Sequence, residues 1–198
     1  GSESVRKALD PISDVRGKMA IDFSKDPDGE YIIPDHATPM EVRAIFREKG
    51  WPFEEYFRFV FVRNPWTRLV SLYRFIDQPG TKPSFADWLV NSRTSGRGGG
   101  EEGQVIRRSR RFGTYTLDNF VCDETGTRLV DQVFRMEDMP SVPAQLRARG
   151  MPIADDFIPA VNRQPPVDIN AYYTPALKAV VAMRYAKDIA EFHYSYPG

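Results

Sequence analysis

A chain of 198 residues with 41% hydrophobic content is long enough to bury a core, and a single domain spanning residues 1–198 is expected. Its 27 basic and 27 acidic side chains cancel, which excludes a global field drawing it to nucleic acid or to an anionic membrane. Cys122, the single cysteine, cannot form an intrachain disulfide, and no apolar run approaches the ~20 residues needed to cross a bilayer; both features fit a cytoplasmic setting.

The chain opens on Gly1-Ser2-Glu3-Ser4, followed by Val5 to Leu9, which reads as the first turns of a helix. Gly permits close backbone approach and the serines supply hydroxyl donors, so the four residues suit a loop that clasps an anion; Gly-Ser is also a common cleavage scar. The start looks cut, which leaves room for an upstream strand, or for a Golgi-type anchor. Residues 10–35 are polar and turn-rich, as in a surface excursion. Thr38 as N-cap, Pro39 at the first helical position and Glu41 three residues after the cap form a capping box. A helix is predicted through Val42, Ile45 and Phe46, closing at Gly50. His36 stands just ahead of it.

From Phe57 to Val62 the residues are aromatic and β-branched, as in a buried strand. Asn64 and Pro65 then suit an N-cap and a first helical position. Trp66, Leu69, Val70, Tyr73 and Ile76 recur at helical spacing. A strand feeding straight into a helix exposes backbone N–H groups beside a positive dipole end. With Arg63 at the junction and Ser71 about two turns further on, the corner reads as a pocket for a phosphate-bearing ligand.

Residues 84–91 read as a short helix capped by Ser84, with Phe85, Trp88 and Leu89 inward. Residues 92–111 are glycine-rich in front and hold six arginines against Glu101 and Glu102. They suit a flexible loop, either a lid over an anionic acceptor or a solvated segment. Leu129 to Phe134 reads as a second buried strand, and 140–149 as a helix closed by Gly150. Asn162 and Arg163 lie in a loop ahead of Thr174-Pro175, which starts a last helix carrying Leu177, Val180, Val181, Met183, Tyr185, Ile189 and Phe192. Strands alternating with helices point to an α/β fold of P-loop type, three-layered, with a central parallel sheet flanked by helices and the ligand at the strands' carboxyl edges.

The run Val62-Arg63-Asn64-Pro65-Trp66-Thr67-Arg68-Leu69-Val70-Ser71-Leu72-Tyr73 resembles the 3′-phosphate-binding segment of sulfotransferases that use 3′-phosphoadenosine 5′-phosphosulfate (PAPS). The likeness is to the carbohydrate-sulfating branch, whose pattern is Val-Arg-(Asn/Asp)-Pro, two variable residues, then Arg-Leu-Val-Ser, any residue, and Tyr. The ending, Tyr185, Asp188, Phe192 and Tyr194, is similar to that family's Tyr-x-x-Asp-x-x-x-Phe-x-Tyr close. The resemblance implies that Arg63 and Ser71 hold the 3′-phosphate and that Arg68 is a structural partner. It implies that Gly1, Ser2, Glu3 and Ser4 are the second half of the 5′-phosphosulfate loop, whose catalytic Lys and first strand would precede residue 1. It also makes Arg163 a second phosphate contact.

Sulfuryl transfer needs a held donor, neutralised charge on the leaving bridge, and a base for the acceptor proton. Near neutral pH that base is most often His, with a reference pKa of about 6.5. Of the two histidines, His193 suits packing or the surface. His36 fits the segment where similar glycan sulfotransferases carry their base, and otherwise reads as a loop residue. The implied donor is PAPS, the product PAP, and the acceptor a small molecule or glycan. No metal is expected, since two distant His and one Cys make no ligand set. A P-loop kinase lacks its Gly-x-x-x-x-Gly-Lys-(Ser/Thr) motif here, while a non-catalytic nucleotide-binding scaffold of the same fold stays open.

Overall fold

The computed structural model describes residues 8–9, 37–75, 83–92, 114–153 and 167–198. In chain order the elements are α1 (Pro39–Lys49), β1 (Phe59–Val62), α2 (Pro65–Phe75), α3 (Phe85–Asn91), α4 (Leu117–Val121), β2 (Gln132–Arg135), α5 (Val142–Arg147), α6 (Pro175–Arg184) and α7 (Ala186–Phe192). The described residues thus mix helix with a small parallel sheet. The chain divides into two compact units, Gly1–Val62 with Leu129–Gln164 and Arg63–Arg128 with Pro165–Gly198.

In the first unit, α1 begins on the expected capping box. Thr38 Oγ1 accepts from the Glu41 N–H at 3.3 Å, while the Thr38 N–H donates to Glu41 Oε2 at 2.8 Å. It ends at Gly50, whose φ of 71° is left-handed and costs a residue without Cβ little. β1 and β2 pair in parallel, from Phe59 opposite Gln132 to Val62 opposite Arg135.

Both strands differ from the sequence expectation. The ladder starts at Phe59 rather than Phe57, because the Arg58 N–H is taken by Asp131 Oδ2 at 2.7 Å and its guanidinium also bonds that carboxylate. Within β1 only Val62 is buried; Phe59 and Phe61 are half-buried, their rings 5.6 and 5.5 Å from that of Phe134. Leu129, though buried, precedes the second strand. The helix expected over 140–149 is a 3-10 segment, Met136–Ser141, that turns into α5 only at Val142. Pro140 and Pro143 lack the N–H groups that an earlier α-helical start would use. Phe134, Val142, Leu146 and Ile153 form the core of this unit.

The second unit packs α2, α3 and α6 around Trp66, Leu69, Val70, Phe85, Leu89, Leu177 and Val181. Full burial of one such leucine stabilises by about 1.5–3 kcal/mol. Ser84 and Thr174 cap α3 and α6 as expected, accepting from the Asp87 and Leu177 N–H groups. The last helix is broken at Tyr185 (φ −113°, ψ 26°) into α6 and α7. That ring is buried, and its hydroxyl donates to the Thr114 carbonyl. Leu177, Val181 and Tyr185 recur at a spacing of four and take the inner face, which turns Met183 outward, 74% exposed. At the end of α6, Arg184 Nη2 donates to the Val90 carbonyl at 2.8 Å and Nη1 to that of Leu89, closing the C-terminus of α3.

Candidate functional site

β1 stops at Val62, and the chain enters α2 through Arg63 and Asn64. Asn64 is buried and holds the turn. Its Oδ1 accepts from the Trp66 N–H at 3.1 Å, and its Nδ2 donates to the Ser195 carbonyl at 2.8 Å. The Asn64 carbonyl accepts the Arg68 N–H at 2.9 Å and the Thr67 hydroxyl at 3.0 Å. Pro65 has no N–H to offer. Of the N–H groups expected to face an anion here, those of Trp66 and Arg68 are therefore already used. The positive character of the corner comes mainly from Arg63 and the helix dipole.

Arg63 does not point off into solvent at random. Its Nε donates to Thr67 Oγ1 at 3.1 Å, which lays the guanidinium over the first turn of α2. Thr67 and Ser71 are four residues apart on that helix and so share a face. Arg63, Thr67 and Ser71 thus form a row of one cation and two hydroxyls, all half-buried. Such a row can take a phosphate or sulfate, since a guanidinium hydrogen bond to an anion is about twice as strong as a neutral one.

On the core side, Arg68 plays the structural part. Its Nη2 donates to the Tyr115 carbonyl at 2.9 Å, and its guanidinium carbon sits 5.0 Å above the Tyr185 ring. Nearby, both carboxylate oxygens of buried Asp188 accept from the Leu117 N–H, at 3.2 and 3.1 Å. Burial pushes the Asp188 carboxyl above its ordinary value, while the Leu117 N–H and the Arg68 cation pull the other way. The Tyr185 and Asp188 of the terminal pattern therefore anchor α7 to the loop ahead of α4.

Among the sequence candidates, Arg63 and Ser71 lie together on this corner. Gly1, Ser2, Glu3, Ser4, His36 and Arg163 lie outside the described residues, as does 93–111. His193 is exposed at the C-terminal end of α7, in a left-handed conformation. Thr67 was missed, because it fills one of the two variable positions of the motif. The only available signal was its spacing of four from both Arg63 and Ser71. Among the described residues no three His, Cys, Asp or Glu side chains are grouped to hold a metal, and no helix is long and apolar enough to cross a membrane.

A family model described as the sulfotransferase family matches residues 43–142, a span that includes this corner and both strands. No curated protein and no solved structure matches the chain.

Proposed function

The chain belongs to the sulfotransferase family, and on that premise we propose that it moves a sulfuryl group from PAPS to an acceptor hydroxyl on a carbohydrate, releasing PAP. The observation carrying this reading is the bond of Arg63 to Thr67, with Thr67 and Ser71 on one face of α2, inside the span the family model matches. In this reading β1 and β2 belong to the central parallel sheet of a three-layer P-loop-type domain, and the donor lies at their carboxyl edge.

PAPS supplies a sulfur whose bond to the bridging oxygen breaks as the acceptor oxygen bonds to it, the electron pair leaving on PAP. The protein contributes position and charge. Arg63 gives charge-assisted N–H donors to the 3′-phosphate and Ser71 gives a hydroxyl. Gly1, Ser2, Glu3 and Ser4 wrap the 5′ end, and Arg163 adds a second cation over the nucleotide. His36 accepts the proton of the acceptor hydroxyl.

Titration of the full chain with PAP tests the reading. Arg63→Ala should weaken binding by about 1.5–3 kcal/mol, and an unchanged affinity would remove the assignment. Radiolabelled PAPS incubated with a panel of glycans and small hydroxyl compounds then identifies the acceptor.

A further inference from the structure

We propose that Thr67 is a positioning residue for nucleotide recognition: its hydroxyl holds the Arg63 guanidinium in the pose that selects ligands carrying a 3′-phosphate. The inference rests on the assignment of Arg63 to that phosphate and adds a residue that the motif leaves variable. Thr67 Oγ1 works in two directions, donating to the Asn64 carbonyl at 3.0 Å and accepting from Arg63 Nε at 3.1 Å. A threonine in a first helical turn often bonds back to a nearby carbonyl, and that alone would be a local matter. Here the same bond fixes the hydroxyl hydrogen toward Asn64 and turns a lone pair toward Arg63.

Two consequences follow for the cation. An arginine side chain carries about 2 kcal/mol of rotamer entropy, and a tether at Nε removes part of that freedom before any ligand arrives. With Nε engaged, an anion meets the guanidinium through its Nη atoms, so the tether also sets the approach direction. Asn64 is itself fixed through Ser195 and Trp66, so the chain from Ser195 through Asn64 and Thr67 to Arg63 is continuous. Valine matches the shape of threonine without the hydroxyl, whereas serine keeps the hydroxyl and loses only a methyl group.

The test is calorimetric titration of the full chain with PAP and with adenosine 5′-phosphate, which lacks the 3′-phosphate, read as the ratio of the two dissociation constants. Thr67→Val should lower this preference for PAP by about 2–10-fold, the scale of one hydrogen bond, with adenosine 5′-phosphate affinity unchanged. Thr67→Ser should restore the native ratio. Arg63→Ala should lower it by about 10–100-fold. If Arg63→Ala lowers the ratio and Thr67→Val does not, the tether is wrong and the phosphate assignment survives. Equal weakening of both ligands by Thr67→Val, or no rescue by serine, would mark a merely structural hydroxyl and overturn the proposal. A ratio insensitive to Arg63→Ala would overturn the phosphate assignment and the tether with it.

Discussion

Asn64 and Ser195 are 131 residues apart, yet the amide nitrogen of the first donates to the carbonyl of the second at 2.8 Å. The C-terminal segment thus braces the turn that presents Arg63. Asn64→Ala removes this bond and the cap on Trp66 together, and should cost about 1–3 kcal/mol of stability. Asn64→Ser keeps a capping oxygen but is too short to reach Ser195, so its cost should be smaller, about 0.5–1.5 kcal/mol. Urea unfolding checks the ranking, and an Asn64→Ser variant as stable as wild type would mean that the brace contributes nothing.

Asp188→Ala strands the buried Leu117 N–H and should destabilise by about 1–3 kcal/mol, whereas Asp188→Asn keeps an acceptor there. The pH dependence separates charge from hydrogen bonding. The folded-state pKa of Asp188 lies above its unfolded value, so in the interval between them the native state binds more protons. Stability from this group is fully present below the unfolded value of about 3.9 and is lost as pH rises through the raised one. Measured by urea unfolding across acidic pH, wild type should lose stability relative to Asp188→Asn as pH rises. A difference that stays flat, or runs the opposite way, would contradict the shift.

His193 adopts φ 52° at the end of α7. Left-handed backbone strains a residue with a Cβ by about 1–2 kcal/mol, and glycine avoids this at some cost in chain entropy. His193→Gly should therefore raise stability by about 0.5–1 kcal/mol, seen as a higher thermal midpoint, with sulfate transfer unaltered. A lower midpoint would show that the imidazole makes contacts worth more than the strain.

The other histidine should behave differently. His36→Ala should lower turnover by about 10²–10⁴-fold with little change in PAPS affinity, the signature of a lost base. Full activity in that variant would send the search for the base elsewhere.

Local features were readable from the residues because their partners are near in the chain. Thr38, Ser84 and Thr174 each bond an N–H three residues on, and Gly50 ends α1 by its own conformational freedom. What escaped depends on distant partners. The late start of β1 comes from Asp131, 73 residues from Arg58, and the buried carboxylate of Asp188 is matched to an N–H 71 residues away. The break at Tyr185 likewise accompanies a hydroxyl that reaches Thr114.

The candidate site divides in the same manner. Arg63 and Ser71 could be picked out because they stand at fixed places of a dense pattern. Thr67 could not, since a helical threonine is commonplace until the preceding arginine is seen to lean on it. Periodicity alone ran the last helix through Tyr185 unbroken, while packing of Leu177, Val181 and Tyr185 gave the face with Met183 to solvent.

The clasp of Arg184 on the carbonyls of Leu89 and Val90 joins two helices through a side chain that can only donate. Its counterpart within the same unit, the carboxylate of Asp188, can be discharged by acid. Hydrogen exchange followed through an acid titration should accordingly find the α4–α7 junction responsive, so that one compact unit holds a titratable latch.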